Sequence, residues 1–110
     1  MYTVTKTLEI SAAHFLTLTY PSKCANLHGH NWIIKITCQN DTLDDNGMVY
    51  DFTHIKQKIS EQLDHKFLND ILPFNPTAEN IAKWIADQIG ELCVSVTVRE
   101  SEGNEARYDV

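Results

Sequence analysis

Cysteine is scarce and badly spaced for cross-linking in this 110-residue chain: Cys24, Cys38 and Cys93 are odd in number and far apart, a poor disulfide framework. A reduced, cytoplasmic protein is the natural expectation. No apolar run is long enough to span a membrane. The opening residues, Met1-Tyr2-Thr3-Val4-Thr5-Lys6, lack the charged-then-apolar pattern of a signal peptide. Positive charge is in short supply. Nine Lys and Arg against fifteen Asp and Glu leave a net charge of −6, which argues against nucleic acid or an anionic membrane as partner. A phosphorylated small molecule is still allowed, because a local basic patch can oppose the global sign. Repeats, low-complexity tracts and linkers are missing too, so residues 1–110 are expected to form one domain with a modest core.

Against these absences stands a concentration of histidine. Three of only five histidines are His14, His28 and His30. Side chains two apart on a strand share a face, so His28-Gly29-His30 presents two imidazoles to one side. A third would complete a three-histidine zinc site with one open position, the mark of a catalytic rather than structural ion.

Hydropathy patterning supplies the frame. Val4, Leu8 and Ile10 alternate with threonines over residues 3–13. Trp32, Ile34, Ile36 and Cys38 alternate over 30–39, and Val94, Val96 and Val98 over 94–100. Phe52, Ile55, Ile59 and Leu63 recur at helical spacing, predicting a helix over 51–68 with Asp51 or Thr53 as N-cap. A second helix is expected after Pro76, capped by Thr77 and ending near Gly90. A last short strand, about 106–110, follows the Gly103-Asn104 turn. The order β-β-α-α-β-β predicts an α+β fold, an antiparallel sheet with two helices on one face. The opposite face is polar, with Thr, Ser and charges of both signs (Glu9, Lys35, Arg99). Exposed sheet edges invite pairing, and edge-to-edge assembly of several subunits would close a barrel around that face.

If neither of the first two strands is bulged, His14, His28 and His30 share the even, helix-covered parity and converge from adjacent strands. Cys24 is then either a fourth ligand closing a structural site or a free thiol beside the metal, acidified by its field and able to act as a base. Cys38 and Cys93 read as core residues. Asp64-His65 pairs a carboxylate with an imidazole at the end of the first helix, an arrangement suited to proton transfer. Glu100 puts a carboxylate where the valine parity predicts an apolar side chain. It needs a partner, and two adjacent N–H donors on a pterin or guanine edge would supply one. Glu79, in the first turn of the second helix, is most simply a favourable dipole charge.

The segments Ala12-Ala13-His14-Phe15, Cys24-Ala25-Asn26-Leu27-His28-Gly29-His30-Asn31-Trp32, Gly47-Met48-Val49-Tyr50-Asp51-Phe52, Leu63-Asp64-His65-Lys66-Phe67-Leu68-Asn69, Pro76-Thr77-Ala78-Glu79-Asn80 and Val98-Arg99-Glu100 resemble the 6-pyruvoyltetrahydropterin synthase / 6-carboxytetrahydropterin synthase family, in register along nearly the whole chain. The resemblance implies the tunnelling fold (T-fold), in which such subunits form barrels as trimers and stack into hexamers. It implies Zn2+ held by His14, His28 and His30, and Cys24 as the proton-abstracting thiolate. Asp64 and His65 would be the accompanying proton relay. Glu100 would anchor the pterin, with Thr77 and Glu79 lining its pocket near a subunit interface. The substrates it implies are 7,8-dihydroneopterin triphosphate and its relatives. Three residues separate Cys24 from the His-Gly-His, as in the bacterial 6-carboxytetrahydropterin synthases of the queuosine pathway. Side-chain cleavage to a carboxy product, with loss of acetaldehyde and triphosphate, is therefore expected. The alternatives are a pyruvoyl-type synthase, a non-catalytic zinc module closed by Cys24, and a pterin-binding relative of altered activity. No basic cluster is marked out for the triphosphate; Lys23, Lys35 and Lys66 are candidates.

Overall fold

A computed structural model describes all 110 residues. Two thirteen-residue strands, β1 (Tyr2–His14) and β2 (His28–Asn40), run antiparallel from end to end. At about 3.3 Å per residue such strands are roughly 43 Å long, which accounts for a molecule of 51 × 25 × 23 Å. Their register never slips: Tyr2 faces Asn40, Leu8 faces Ile34 and His14 faces His28. After β2 come α1 (Phe52–Leu63), a two-residue strand β3 (Lys66–Phe67), a single turn α2 (Leu68–Ile71), α3 (Ala78–Ile89), β4 (Cys93–Ser101) and β5 (Asn104–Asp109). The sheet order is β3-β1-β2-β4-β5, with only β3 parallel to its neighbour.

Alternation decides which face is covered. Leu8, Ile10, Trp32, Ile34, Ile36, Val96 and Val98 are at most 5% exposed and meet the Ile55-Ile59-Leu63 stripe of α1 and the Ile81-Ile85-Ile89 stripe of α3. The intervening threonines and charges face outward. Both helix starts follow the sequence: Asp51 accepts the Thr53 N–H at 2.8 Å and Thr77 the Asn80 N–H at 3.2 Å. Gly90 ends α3 with φ +99°, a conformation that costs glycine little.

Four expectations need correction. The first helix stops at Leu63, not 68. Asp64 turns extended and its carboxylate accepts the Ser11 N–H of β1 at 2.8 Å. His65, at φ +58°, donates its N–H to Ser11 O at 2.7 Å. A side chain fastened to the sheet outweighs the helical periodicity, and Lys66–Phe67 add a fifth strand that the sequence reading lacks. Phe52, counted on the apolar stripe, is 49% exposed. Val94 is not a core residue either. A register shift at Thr37/Cys38 brings Cys93 opposite the inward Cys38 and leaves Val94 unpaired and half-buried.

Candidate metal centre and active-site cavity

The unslipped β1–β2 ladder carries the histidines to one place. His14 ends β1, His28 begins β2 directly opposite, and His30 lies two residues further along the same face. Trp32 lies beneath them. Its Nε1–H donates to Ala12 O at 3.2 Å, and its indole meets the His14 and His30 rings edge-on at 4.9 and 5.2 Å. A packed indole removes rotamer choice from both imidazoles.

Backbone carbonyls set the tautomers. His14 Nδ1 is 2.8 Å from Pro76 O, and His28 Nδ1 is 2.7 Å from Asn26 O. A carbonyl only accepts, so each Nδ1 carries the proton and each Nε2 is left with a lone pair. Those two Nε2 atoms lie 3.0 Å apart. Two lone pairs at that distance repel unless they share a cation. The separation is near the ~3.3 Å that two imidazole nitrogens subtend across one tetrahedral zinc at ~2.05 Å each. His30 Nε2 is buried, with Glu100 Oε1 as its polar neighbour at 2.7 Å. The ligand atoms of His14, His28, His30 and Glu100 all fall within 4.8 Å of one another. Burial, ahead of the neighbouring histidines, holds His14 and His30 below the ordinary imidazole pKa, which favours the neutral form that metal binding requires. The residues present fit a divalent ion of zinc's kind.

Cys24 sits in a one-turn 3-10 helix, Lys23–Ala25, capped by the Ser22 hydroxyl, which accepts the Cys24 N–H at 3.2 Å. Leu16 N–H donates to Cys24 O at 2.9 Å and ties this turn to the chain leaving β1. Cys24 thereby lines a cavity of about 480 Å³ with Lys23, His28, His30, Glu100 and Asn104. Its thiol is not among the four converging ligand groups. The geometry thus separates thiol from metal cluster while keeping both in one chamber.

The family model described as 6-pyruvoyl tetrahydropterin synthase matches residues 3–110. The chain belongs to that family. A Bacillus subtilis relative named 6-carboxy-5,6,7,8-tetrahydropterin synthase is 34% identical, over 97% of this chain and 84% of its own. A Synechocystis relative of the same name is 36% identical, over 98% and 93%. The solved structure of Caenorhabditis elegans 6-pyruvoyl tetrahydropterin synthase superposes with a TM-score of 0.79 at 26% identity, covering 99% of this chain and 95% of that one. The fold is accordingly that of the synthase family, the T-fold.

Within one subunit of this synthase fold, the expected site residues separate into two groups. Cys24, His28, His30 and Glu100 line one chamber, and the buried His14 joins the last three in the ligand cluster. Asp64 and His65 do not join them. They lie at the β1–β3 edge, where the exposed His65 residue lines a second cavity of about 500 Å³ with Ser11, Asn31, Lys66 and His30, the residue common to both cavities, and His65 Nε2 is 3.8 Å from Asp64 Oδ2. Thr77 is spent on capping α3 and Glu79 faces solvent; neither lines the Cys24 chamber. Of the lysines, Lys23 lines that chamber, Lys66 the edge cavity, and Lys35 a cleft on the open sheet face beside Arg99. The sequence reading missed the carbonyls of Asn26 and Pro76, which carry no side-chain signal, and Asn104, whose position beside Glu100 follows from the β4–β5 hairpin.

Proposed function

We propose that the chain is a zinc-dependent lyase that converts 7,8-dihydroneopterin triphosphate and water to 6-carboxy-5,6,7,8-tetrahydropterin, acetaldehyde and triphosphate, in queuosine biosynthesis. The observation that carries this is the chamber itself: a free thiol, two histidines and a carboxylate line one cavity large enough for a pterin, and the buried His14 completes the histidine cluster behind its wall. The names of the Bacillus and Synechocystis relatives support the carboxy product.

His14, His28 and His30 would hold the ion, which when bound supplies Lewis acidity toward the substrate's side-chain oxygens. Cys24, as thiolate, takes the proton from the side-chain carbon facing it, and Glu100 fixes the ring through its adjacent N–H donors. Lys23, at the chamber wall, is placed to meet a phosphate. The Asp64-His65 pair reaches a chamber only from a neighbouring subunit, so the active unit is a homo-oligomer, trimer or hexamer, with Thr77 and Glu79 brought to the pocket at the same interface. The unpaired edges, most of β1 on one side and β5 on the other, suit that assembly.

A second reading is pyruvoyl formation, in which triphosphate is eliminated and the side chain is kept whole. The close superposition on the nematode pyruvoyl synthase favours it. Mass spectrometry of products from the zinc-loaded protein and 7,8-dihydroneopterin triphosphate decides. Carboxypterin with acetaldehyde supports the lyase, a pyruvoyl product the second reading, and unchanged substrate rejects both.

A further inference from the structure

Cys38 and Cys93 are distant in sequence, yet the sheet sets them directly opposite each other on β2 and β4. Gln39 N–H donates to Leu92 O at 2.9 Å, so the cysteines occupy the adjoining position that carries no ladder hydrogen bond. In an antiparallel pair that position brings Cα atoms to about 4.5 Å and side chains closest, inside the roughly 4.4–6.8 Å that a disulfide spans. Both side chains point into the core, at 0% and 1% exposure. The Cys38 thiol donates to the Cys93 sulfur, and that bond, followed by burial, pushes the Cys38 thiol up. The same bond draws the Cys93 thiol down against the opposing effect of burial, so Cys93 is the one to ionise. The mechanism described above uses neither thiol.

We propose that Cys38 and Cys93 form a redox pair, a dithiol that a peroxide closes to a disulfide stapling β2 to β4. The Cys93 thiolate attacks one peroxide oxygen and breaks the O–O bond, giving a sulfenic acid and a hydroxide that leaves as water. The Cys38 sulfur then displaces the sulfenic oxygen as a second water and forms the S–S bond. Two thiols and one hydrogen peroxide thus give one disulfide and two waters, with two electrons passing from sulfur to oxygen. Packing favours this product. The next inward positions along the two strands are the fully buried Ile36 and Val96; a disulfide adds no atom beside them, whereas a sulfinic acid would add two unpaired oxygens. Cys93 begins β4 just after the exposed Gly90 and Glu91, so local opening of that strand end admits a molecule as small as peroxide. The bond would enclose α1, β3, α2 and α3 in one long covalent loop, the case in which a cross-link most restricts the unfolded chain. His30 and Cys38 stand roughly 26 Å apart along β2, so the staple hardens the fold without touching the histidines. It is independent of the reaction and the metal assigned above.

The experiment exposes native Cys24→Ala protein, which keeps only these two thiols, to hydrogen peroxide, and afterwards blocks any remaining thiol with iodoacetamide in denaturant. The expected product is lighter by two hydrogens, takes up no iodoacetamide and yields a Cys38–Cys93 linked peptide on digestion. Its melting temperature should rise by roughly 10–15 °C at fixed protein concentration, and tris(2-carboxyethyl)phosphine should reverse both changes. Wild type treated in the same way should give the same linked peptide. Cys38→Ala in the Cys24→Ala background should form no such link and show no rise in melting temperature. The parent protein carries the test by itself if that variant folds poorly. Oxygen added to either cysteine without the linked peptide would overturn the proposal. So would thiols that stay reduced until denaturant is added, or a linked protein that melts no higher than the reduced one.

Discussion

Two asparagine side chains take the place of a strand. After β1 ends, Asn69 accepts the Phe15 N–H and donates to Phe15 O, both at 2.9 Å, and Asn75 does the same for Thr17, at 2.9 and 3.1 Å. Each amide imitates a backbone peptide, zipping residues 15–17 to the segment that delivers the Pro76 carbonyl to His14. Asn69→Ala removes two hydrogen bonds worth about 1 kcal/mol each. It also strands a half-buried N–H and C=O that water reaches poorly, for a total of about 2–3 kcal/mol. Asn75 makes its bonds in solvent, where water replaces them, so Asn75→Ala should cost about 1 kcal/mol. In melting temperature these are roughly 10–15 °C and 4–6 °C for a domain of this size. Asn69→Asp keeps the acceptor but sets an anion against Phe15 O, and should be no better than alanine. Thermal melts of the three variants at one protein concentration, followed by circular dichroism, test this. A larger loss at Asn75 than at Asn69, or an Asn69→Asp variant near wild type, would refute the reasoning.

Other outcomes follow from the site and the core. Cys24→Ala should remain folded and metal-loaded while losing about 10²–10⁴ in rate; loss of zinc along with activity would instead indicate a structural site. Native protein should show one rapidly reacting thiol and denatured protein three, because Cys38 and Cys93 are 0% and 1% exposed and the hydrogen bond with Cys93, followed by burial, pushes the Cys38 thiol up; three fast thiols in native protein would be inconsistent with this packing. In metal-free protein, His14 and His30 titrate below the unfolded value of 6.5, so the unfolded chain binds more protons. The contribution is present above pH 6.5 and is lost as pH falls below it, by at most about 1.4 kcal/mol per pH unit for each histidine. Denaturant titrations at successive pH values with chelator should show stability falling in that direction. Mixing inactive Cys24→Ala and His65→Ala proteins should restore roughly a quarter of wild-type activity if the two residues meet across an interface, and none if each subunit works alone.

The face assignment of the histidines was legible because a strand's period of two is rigid over an unbulged ladder, and His14, Trp32 and Ile34 obey the same parity. Asp51, Thr77 and Gly90 were legible as helix boundaries because their roles depend on local chemistry. Legibility failed where tertiary bonds intervene. Nothing near Leu63 in the sequence says that Asp64 will bond to Ser11, 53 residues away. The register shift at Thr37/Cys38, which leaves Val94 unpaired and half-buried, arises between strands that the chain separates by three helices. Glu100 stood out as a carboxylate at an apolar position, and that anomaly was informative. Its nearness to His30 was not, because it depends on a bulge between Arg99 and Ser101.

The unslipped pairing of β1 with β2 also constrains how such a chain can change length. A single-residue insertion or deletion within residues 2–13 would shift the phase of everything after it and carry His14 to the open face, while His28 stayed behind. Within 31–40 it would leave the histidines in place but turn part of the core out of β2. Residues 15–27, which join the two strands and are held by side-chain clamps and a capped turn, belong to neither ladder. Gains and losses of sequence should therefore collect in that connection, and the strands should be inherited at fixed length.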